Sequence, residues 1–247
     1  MLTISFMCTV TIIPKGNNDF ILTSNRDEAP NRKTIDPDFY LENDTMLLYP
    51  KDGLAGGTWV GVSEKNRLIC LLNGGFTLHE RQENYRLSRG VVVKDLLISN
   101  DVMQSINAYN LDQVEPFTIV VVDWNSQLKF YELVWDGEKK HVSELPLKPR
   151  LWSSSTLYNE SMKEERKLWF EDFKEKAVFT PESMLHFHKT TYKENKVYGL
   201  VMDRDFVKTT SITQITKTSD KVEMRFENLQ KNEVITSTFL FSECAHD

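Results

Sequence analysis

Residues 117–122, FTIVVV, form a continuous run with almost no polar face. Such a strand must be covered on both sides, unlike the alternating strand of a sheet that faces water. A turn at Asn125 and Ser126 follows, then a second apolar stretch over 128–134, so the pair predicts a hairpin inside a stack of layers.

Other segments supply the layers. Residues 4–13 are rich in Ile, Val, Thr and Phe and predict a buried strand; Pro14, Gly16 and Asn17 turn the chain into a second strand over 20–24. Residues 25–36 are polar and contain Pro30, which predicts an irregular segment. Residues 58–63 and 67–72 pair about Lys65 and Asn66, and Asn73, Gly74 and Gly75 end that hairpin. Helical spacing marks 88–98, 102–109 and 161–175, and Thr180 before Pro181 marks the start of another helix. A short strand is expected over 151–155, and alternation predicts strands near 199–202, 211–216, 221–226 and 233–241. Strand blocks alternate with helix blocks, which predicts an α+β domain of stacked sheets with helices outside. With no repeat, low-complexity stretch or linker, a single domain over 1–247 is expected.

Composition narrows the function classes. Hydrophobic residues at 40% and charged residues at 27% are ordinary for a globular chain. The net charge is −6 and the basic residues are dispersed, which argues against nucleic acid as a partner. Cys8, Cys70 and Cys244 match no metal spacing, and their odd number fits a reducing, cytoplasmic location. His79, His141, His186, His188 and His246 fit no metal spacing either, so no metal site is expected and surface positions are expected for all five. The opening MLTISFMCTVTII lacks a basic segment and a cleavage site, and reads as a strand rather than a signal peptide. No stretch approaches the ~18 apolar residues of a membrane span, so stable membrane insertion is not expected. The sequence leaves the oligomeric state open.

Four places can carry chemistry. A free cysteine is ordinarily a buried core residue; Cys8 stands apart because Met7 precedes it. Initiation at Met7, or cleavage after it, would make Cys8 the first residue. Its α-amine, with an ordinary pKa of about 7.7–8.0, can then accept the thiol proton. Asn25, Arg26, Asp27 and Glu28 form a charged tetrapeptide that elsewhere would be a solvated turn. Here Arg26 can favour the Cys8 thiolate and Asp27 can orient the amine. Neighbours in an extended segment face opposite ways, so Arg26 and Asp27 serve Cys8 together only if the strand ends or bends between them. Gly56 and Gly57 permit a tight turn or close backbone approach before Trp59, and the segment lacks the ending of a phosphate loop. Asn73, at a strand end, can donate to an oxyanion. Ser153, Ser154 and Ser155 lack the serine-hydrolase elbow.

MCTV, SNRDE, GGTWVGV, LLNGG and LSRG, in this order from Met7 to Gly90, closely resemble the NRDE family, which includes the transport-and-Golgi-organisation protein. LWSSSTLYN extends the likeness more weakly into the second half. The resemblance implies an N-terminal-nucleophile (Ntn) hydrolase fold, a four-layer αββα sandwich similar to that of choloylglycine hydrolases and penicillin acylases. It assigns nucleophile, cation, carboxylate and oxyanion donor to Cys8, Arg26, Asp27 and Asn73. Ser154 stands where that group has a second asparagine, and Lys208 where it has a late arginine. With Asn25 and Trp59 they make the expected substrate-binding set. The implied activity is a cysteine amidohydrolase or acyltransferase for a small amide or thioester, without a cofactor. The alternative is a carrier of haem or acyl-lipid cargo; no C-x-x-C-H attachment motif is present.

Overall fold

A computed structural model of the chain describes residues 9–241. Cys8, Cys244 and His246, with residues 4–7 of the first expected strand, lie outside the described residues.

Two antiparallel sheets face each other. Sheet A is built from β1 (Thr9–Gly16), β2 (Asp19–Glu28), β10 (Arg150–Ser153), β11 (Lys208–Thr218), β12 (Lys221–Asn228) and β13 (Glu233–Leu240), in the order β10-β1-β2-β11-β12-β13. Sheet B holds β3 (Thr34–Glu42), β4 (Thr45–Asp52), β5 (Val60–Ser63), β6 (Arg67–Asn73), β7 (Phe117–Asp123), β8 (Lys129–Trp135) and β9 (Lys140–Leu145), in chain order. Helix α1 (Arg89–Ile98) packs on β4, β5 and β6, with α2 (Val102–Ala108) beside it. On the other side α3 (Glu160–Lys176) packs on β10, and α4 (Pro181–Thr190) on β2 and β11. The layers are therefore αββα, the sandwich that the motifs imply.

Alternation along the strands explains the layering. Ile12 and Leu22, a cross-strand pair, join the core between the sheets, whereas their neighbours Ile13 and Ile21 pack outward on Phe170, Met184 and Phe187 of α3 and α4. Strand β7 has nearly every residue buried, as its composition requires. Thr180 caps α4 by accepting from the Ser183 N–H, with Pro181 in the first turn.

The structure departs from the expectations at three places. Strand β2 runs on through Glu28 instead of ending at Ser24, because the charges of 26–28 are buried and paired. The β3–β4 hairpin and β9 were not anticipated. Strand β3 carries Pro37 and a register shift between Ile35 and Asp38, which blurs its period; it and β9 are edge strands and largely polar. No strand forms over 199–202. The carbonyls of Gly199 and Leu200 accept instead from Arg166 and from Asn25 Nδ2, at 3.2 and 2.6 Å.

Gly57 is fixed by a backbone contact. A Cβ there would lie 2.5 Å from the carbonyl carbon of Gly90, in the first turn of α1, and the Thr58 N–H donates to the Gly90 carbonyl at 3.2 Å. We expect Gly57→Ala to lower stability by about 1–3 kcal/mol, since backbone must move to admit the methyl group. An unchanged urea midpoint would contradict this.

Candidate active site

The cavity that carries the motif residues has a volume of about 350 Å³ and opens at one end of the sandwich. Arg26 and Glu28 reach it from β2, Asp52 from β4, Trp59 from the turn before β5, Asn73 from the end of β6, and Arg89 from the start of α1.

The tetrapeptide 25–28 is no solvated turn: all four residues are at most 1% exposed. Arg26 and Asp27 stand opposite an irregularity in the β2–β11 ladder. The register shift lies on β11, between Thr209 and Ser211. Arg26 and Glu28 face the cavity, whereas Asn25 and Asp27 turn away from it and line no part of it.

On the cavity face, Arg26 Nη2 lies 2.9 Å from Asp52 Oδ2 and 3.5 Å from Glu28 Oε2, and Nη1 donates to Thr34 Oγ1 at 2.9 Å. The guanidinium stacks 4.2 Å from the centre of the Trp59 ring. Arg32 Nε adds a second cation, 2.7 Å from Asp52 and 3.6 Å from Glu28. The two carboxyls respond differently. Burial pushes Glu28 up and outweighs its longer ion pairs. Burial acts the same way on Asp52, but the Arg32 hydrogen bond, the Ala55 N–H and the two arginine charges together hold its carboxyl below the usual range.

On the other face, both oxygens of Asp27 accept from hydroxyls: Oδ2 from Tyr158 at 2.9 Å and Oδ1 from Thr209 at 2.5 Å. Asn25, expected to bind substrate, instead ties β2 to the helical layer. Its Nδ2 donates to the carbonyls of His188 and Leu200, so its Oδ1 accepts from His188 Nδ1 at 2.7 Å. His188 Nε2 then accepts from Thr11 Oγ1 at 2.7 Å, which describes a neutral ring.

His188 corrects the expectation of surface histidines, since it is fully buried. Burial, assisted by the Arg166 charge, pushes it down to about 3. The unfolded chain binds this proton first, near pH 6.5, so the neutral ring's contribution is complete above that pH. It is lost as pH falls towards about 3, by up to ~1.4 kcal/mol per pH unit. Replacing His188 by Gln should therefore cost less and less relative to the parent as pH is lowered from 7 to 4 in urea titrations. A constant difference would contradict the neutral buried ring.

Asn73 and Ser154 come together across the two sheets. Ser154 Oγ donates to the Asn73 carbonyl at 2.7 Å. Ser153, the preceding residue, pairs with Thr9, which also faces Asn25. Trp59 is 2% exposed, both a cavity wall and a core residue. Lys208 pairs by register with Glu28, yet its ammonium sits 2.9 Å from Asp203 and lines no part of the cavity. Cys70 lies in the core, where burial pushes its thiol up to about 12, as expected of an inert cysteine.

The sequence reading assigned no role to Asp52, Arg89, Glu115, Tyr158 or Thr209. Arg89 Nη2 lies 3.0 Å from Glu115 Oε2, and its Nη1 donates to the Pro116 carbonyl at 3.2 Å. The Gly74 N–H donates to that same carbonyl at 3.0 Å, so Arg89 sits beside the Asn73 strand end. Burial lowers Arg89 to about 10, which leaves it cationic at neutral pH. Its place in LSRG was the available signal for Arg89. Tyr158 had only its place in LWSSSTLYN, and Asp52 had none beyond the glycine-rich turn that follows it. Among the described residues, no group of three or more His, Cys, Asp and Glu side chains could hold a metal ion, and no helix is long and apolar enough to cross a membrane.

The fold is similar to that of solved amide hydrolases. Penicillin V acylase from Agrobacterium tumefaciens superposes with a TM-score of 0.58 at 11% identity, covering 93% of this chain and 85% of the acylase. A Caenorhabditis elegans orthologue of N-acylethanolamine-hydrolysing acid amidase gives a TM-score of 0.59 at 14% identity, over 84% and 92% of the two chains. By sequence, the Transport and Golgi organization 2 homolog of Mus musculus is 38% identical over 90 residues, 36% of this chain and 32% of the mouse protein. The Bos taurus homolog is 33% identical over 90 residues, with the same coverage. These matches span about a third of the curated relatives' length. The family model for Transport and Golgi organisation 2 matches residues 7–240, nearly the whole chain, and the chain belongs to that family.

Proposed function

We propose that this chain is a cysteine amidohydrolase or acyltransferase of the N-terminal-nucleophile type, acting on a small amide or thioester. One observation carries the reading. The Ser154–Asn73 hydrogen bond joins the end of β6 to the segment following β10, next to the Ser153–Thr9 pair. The candidate oxyanion donor thus belongs to the end of the sandwich where the chain enters β1, directly after Cys8. The amidase-like fold and the cavity with Arg26 and Asn73 in its wall support the same reading.

The chemistry needs only the chain's own groups. The Cys8 sulfur attacks the carbonyl carbon while its α-amine takes the thiol proton. The carbonyl oxygen becomes an oxyanion, to which the Asn73 amide donates. Collapse breaks the C–N or C–S bond, and the ammonium returns the proton to the leaving amine or thiol. A thioester remains on Cys8. Water, or a second acceptor, attacks it after giving its proton to the amine, and the acid or transferred acyl product leaves. Arg26 favours the thiolate. Asp27 lies on the opposite face of β2 from Arg26 and the cavity, held by Tyr158 and Thr209, so the amine's orientation is not assigned to it. Trp59 walls the cavity, and Ser154 holds the backbone of Asn73.

Asn73→Ala tests the oxyanion role. Loss of one donor should lower kcat about 10²–10³-fold with little change in KM, because the bond forms fully only in the transition state. An unchanged kcat would remove Asn73 from the mechanism.

A further inference from the structure

Where α1 begins, two arginines and a histidine share one carboxylate of the cavity wall, Glu115. Arg89 is 6% exposed and Arg81 reaches in from the loop before α1; both turn towards Glu115, at 3.0 and 3.9 Å. His79 approaches the same carboxylate at 3.5 Å. Glu115 thus faces two guanidiniums; Glu83, the other acid of this wall, is exposed, as Arg81 is, whereas Arg89 is buried. The inner quartet of Arg26, Arg32, Glu28 and Asp52 balances itself. Helix α1 adds the partial positive charge of its N-terminus, and its cap residue Ser88, also on the cavity wall, makes no side-chain hydrogen bond to the helix. Independently, Trp59 lines the cavity at 2% exposure, and its buried indole N–H has no acceptor among the described residues. A buried donor without an acceptor is costly unless a ligand supplies one.

We propose that the substrate is a carboxylate-bearing amide, of the N-acyl amino acid class, whose carboxylate is held by Arg89 and Arg81 at the N-terminus of α1. This rests on the amidohydrolase reading and gives that site its substrate class. Arg89 and the Gly74 N–H share the Pro116 carbonyl, so the guanidinium lies next to Asn73. The anionic group therefore belongs close to the bond that reacts, as the carboxylate of an amino acid lies close to its acylated nitrogen. A guanidinium can hold both oxygens of a carboxylate at once, which a neutral amide cannot match. Leu54, Leu71 and Leu87 of the same cavity offer apolar surface for the acyl chain.

The test is a calorimetric titration of the Cys8→Ala protein, which consumes no ligand, with N-octanoylglycine and N-octanoylglycinamide. The carboxylate should bind about tenfold more tightly, with a preference that shrinks in high salt and is lost in Arg89→Gln. Should Arg89→Gln fail to fold, Arg81→Gln decides, because that side chain lies at the rim: it should weaken the carboxylate about threefold and leave the amide unchanged. Equal affinities in the parent, or a preference that survives both substitutions, would overturn the assignment. Carboxylate preference without turnover in the unsubstituted protein would leave this site standing and sink the catalytic reading. Turnover that ignores ligand charge would do the reverse.

Discussion

Replacing Cys8 by alanine is expected to reduce amide or thioester turnover by roughly 10⁴-fold or more, since the groups of a covalent catalytic unit act together and losing the nucleophile removes most of the acceleration. Serine should rescue little. Its hydroxyl is far less acidic than a thiol and intrinsically less nucleophilic near neutral pH. Substrate should still bind the alanine protein, because the cavity wall of Arg26, Trp59, Asn73 and Arg89 is intact. The informative comparison is single-turnover acylation of the parent, serine and alanine proteins on one substrate. An alanine protein that turns over at the parental rate would end the nucleophile reading, whatever its fold.

The second large effect is on stability. Arg26→Ala should destabilise the chain by about 3–5 kcal/mol, because removing one partner of a buried ion pair strands the other. The group left behind is Asp52, 9% exposed in its side chain, which would retain Arg32 but lose a contact of 2.9 Å; Glu28 would lose the partner at 3.5 Å. The Trp59 ring would lose the cation stacked on its face. Lysine should not restore the loss, since one ammonium cannot serve Asp52, Thr34 and the indole together. Replacing Arg26 and Asp52 together, by Met and Leu, should recover part of it, as apolar pairs often substitute for buried charges. Denaturant midpoints of the four proteins measure this. A loss below about 1 kcal/mol in Arg26→Ala would show that the pair is screened as a surface pair is.

The sequence was most informative where local chemistry sets the outcome. The apolar run at 117–122 and the Thr180–Pro181 start translate directly into β7 and α4. The close approach foreseen for the glycines before Trp59 is the contact of Gly57 with Gly90. The alternation rule foresaw that Arg26 and Asp27 would part unless β2 bent, and they do part. What stayed hidden was set by distant partners. Nothing near Asn25 signals that its amide belongs to His188, 163 residues away, nor does a lone histidine reveal that Thr11 and Asn25 will bury it. The polar stretch after Ser24 resembled a loop because its charges find partners only when β4 folds against them. Pro37 and a bulge disguised β3, and the apolar character of 199–202 suggested a strand where side chains satisfy the backbone.

The most direct test is the intact mass of the protein purified after expression from its native gene, taken before and after brief exposure to p-nitrophenyl acetate. The account predicts a chain that begins at Cys8 and gains one acetyl group, absent in Cys8→Ala. A chain that keeps residues 1–7 and hydrolyses amides all the same would contradict it, because the proposed base, the Cys8 amine, would be locked in a peptide bond.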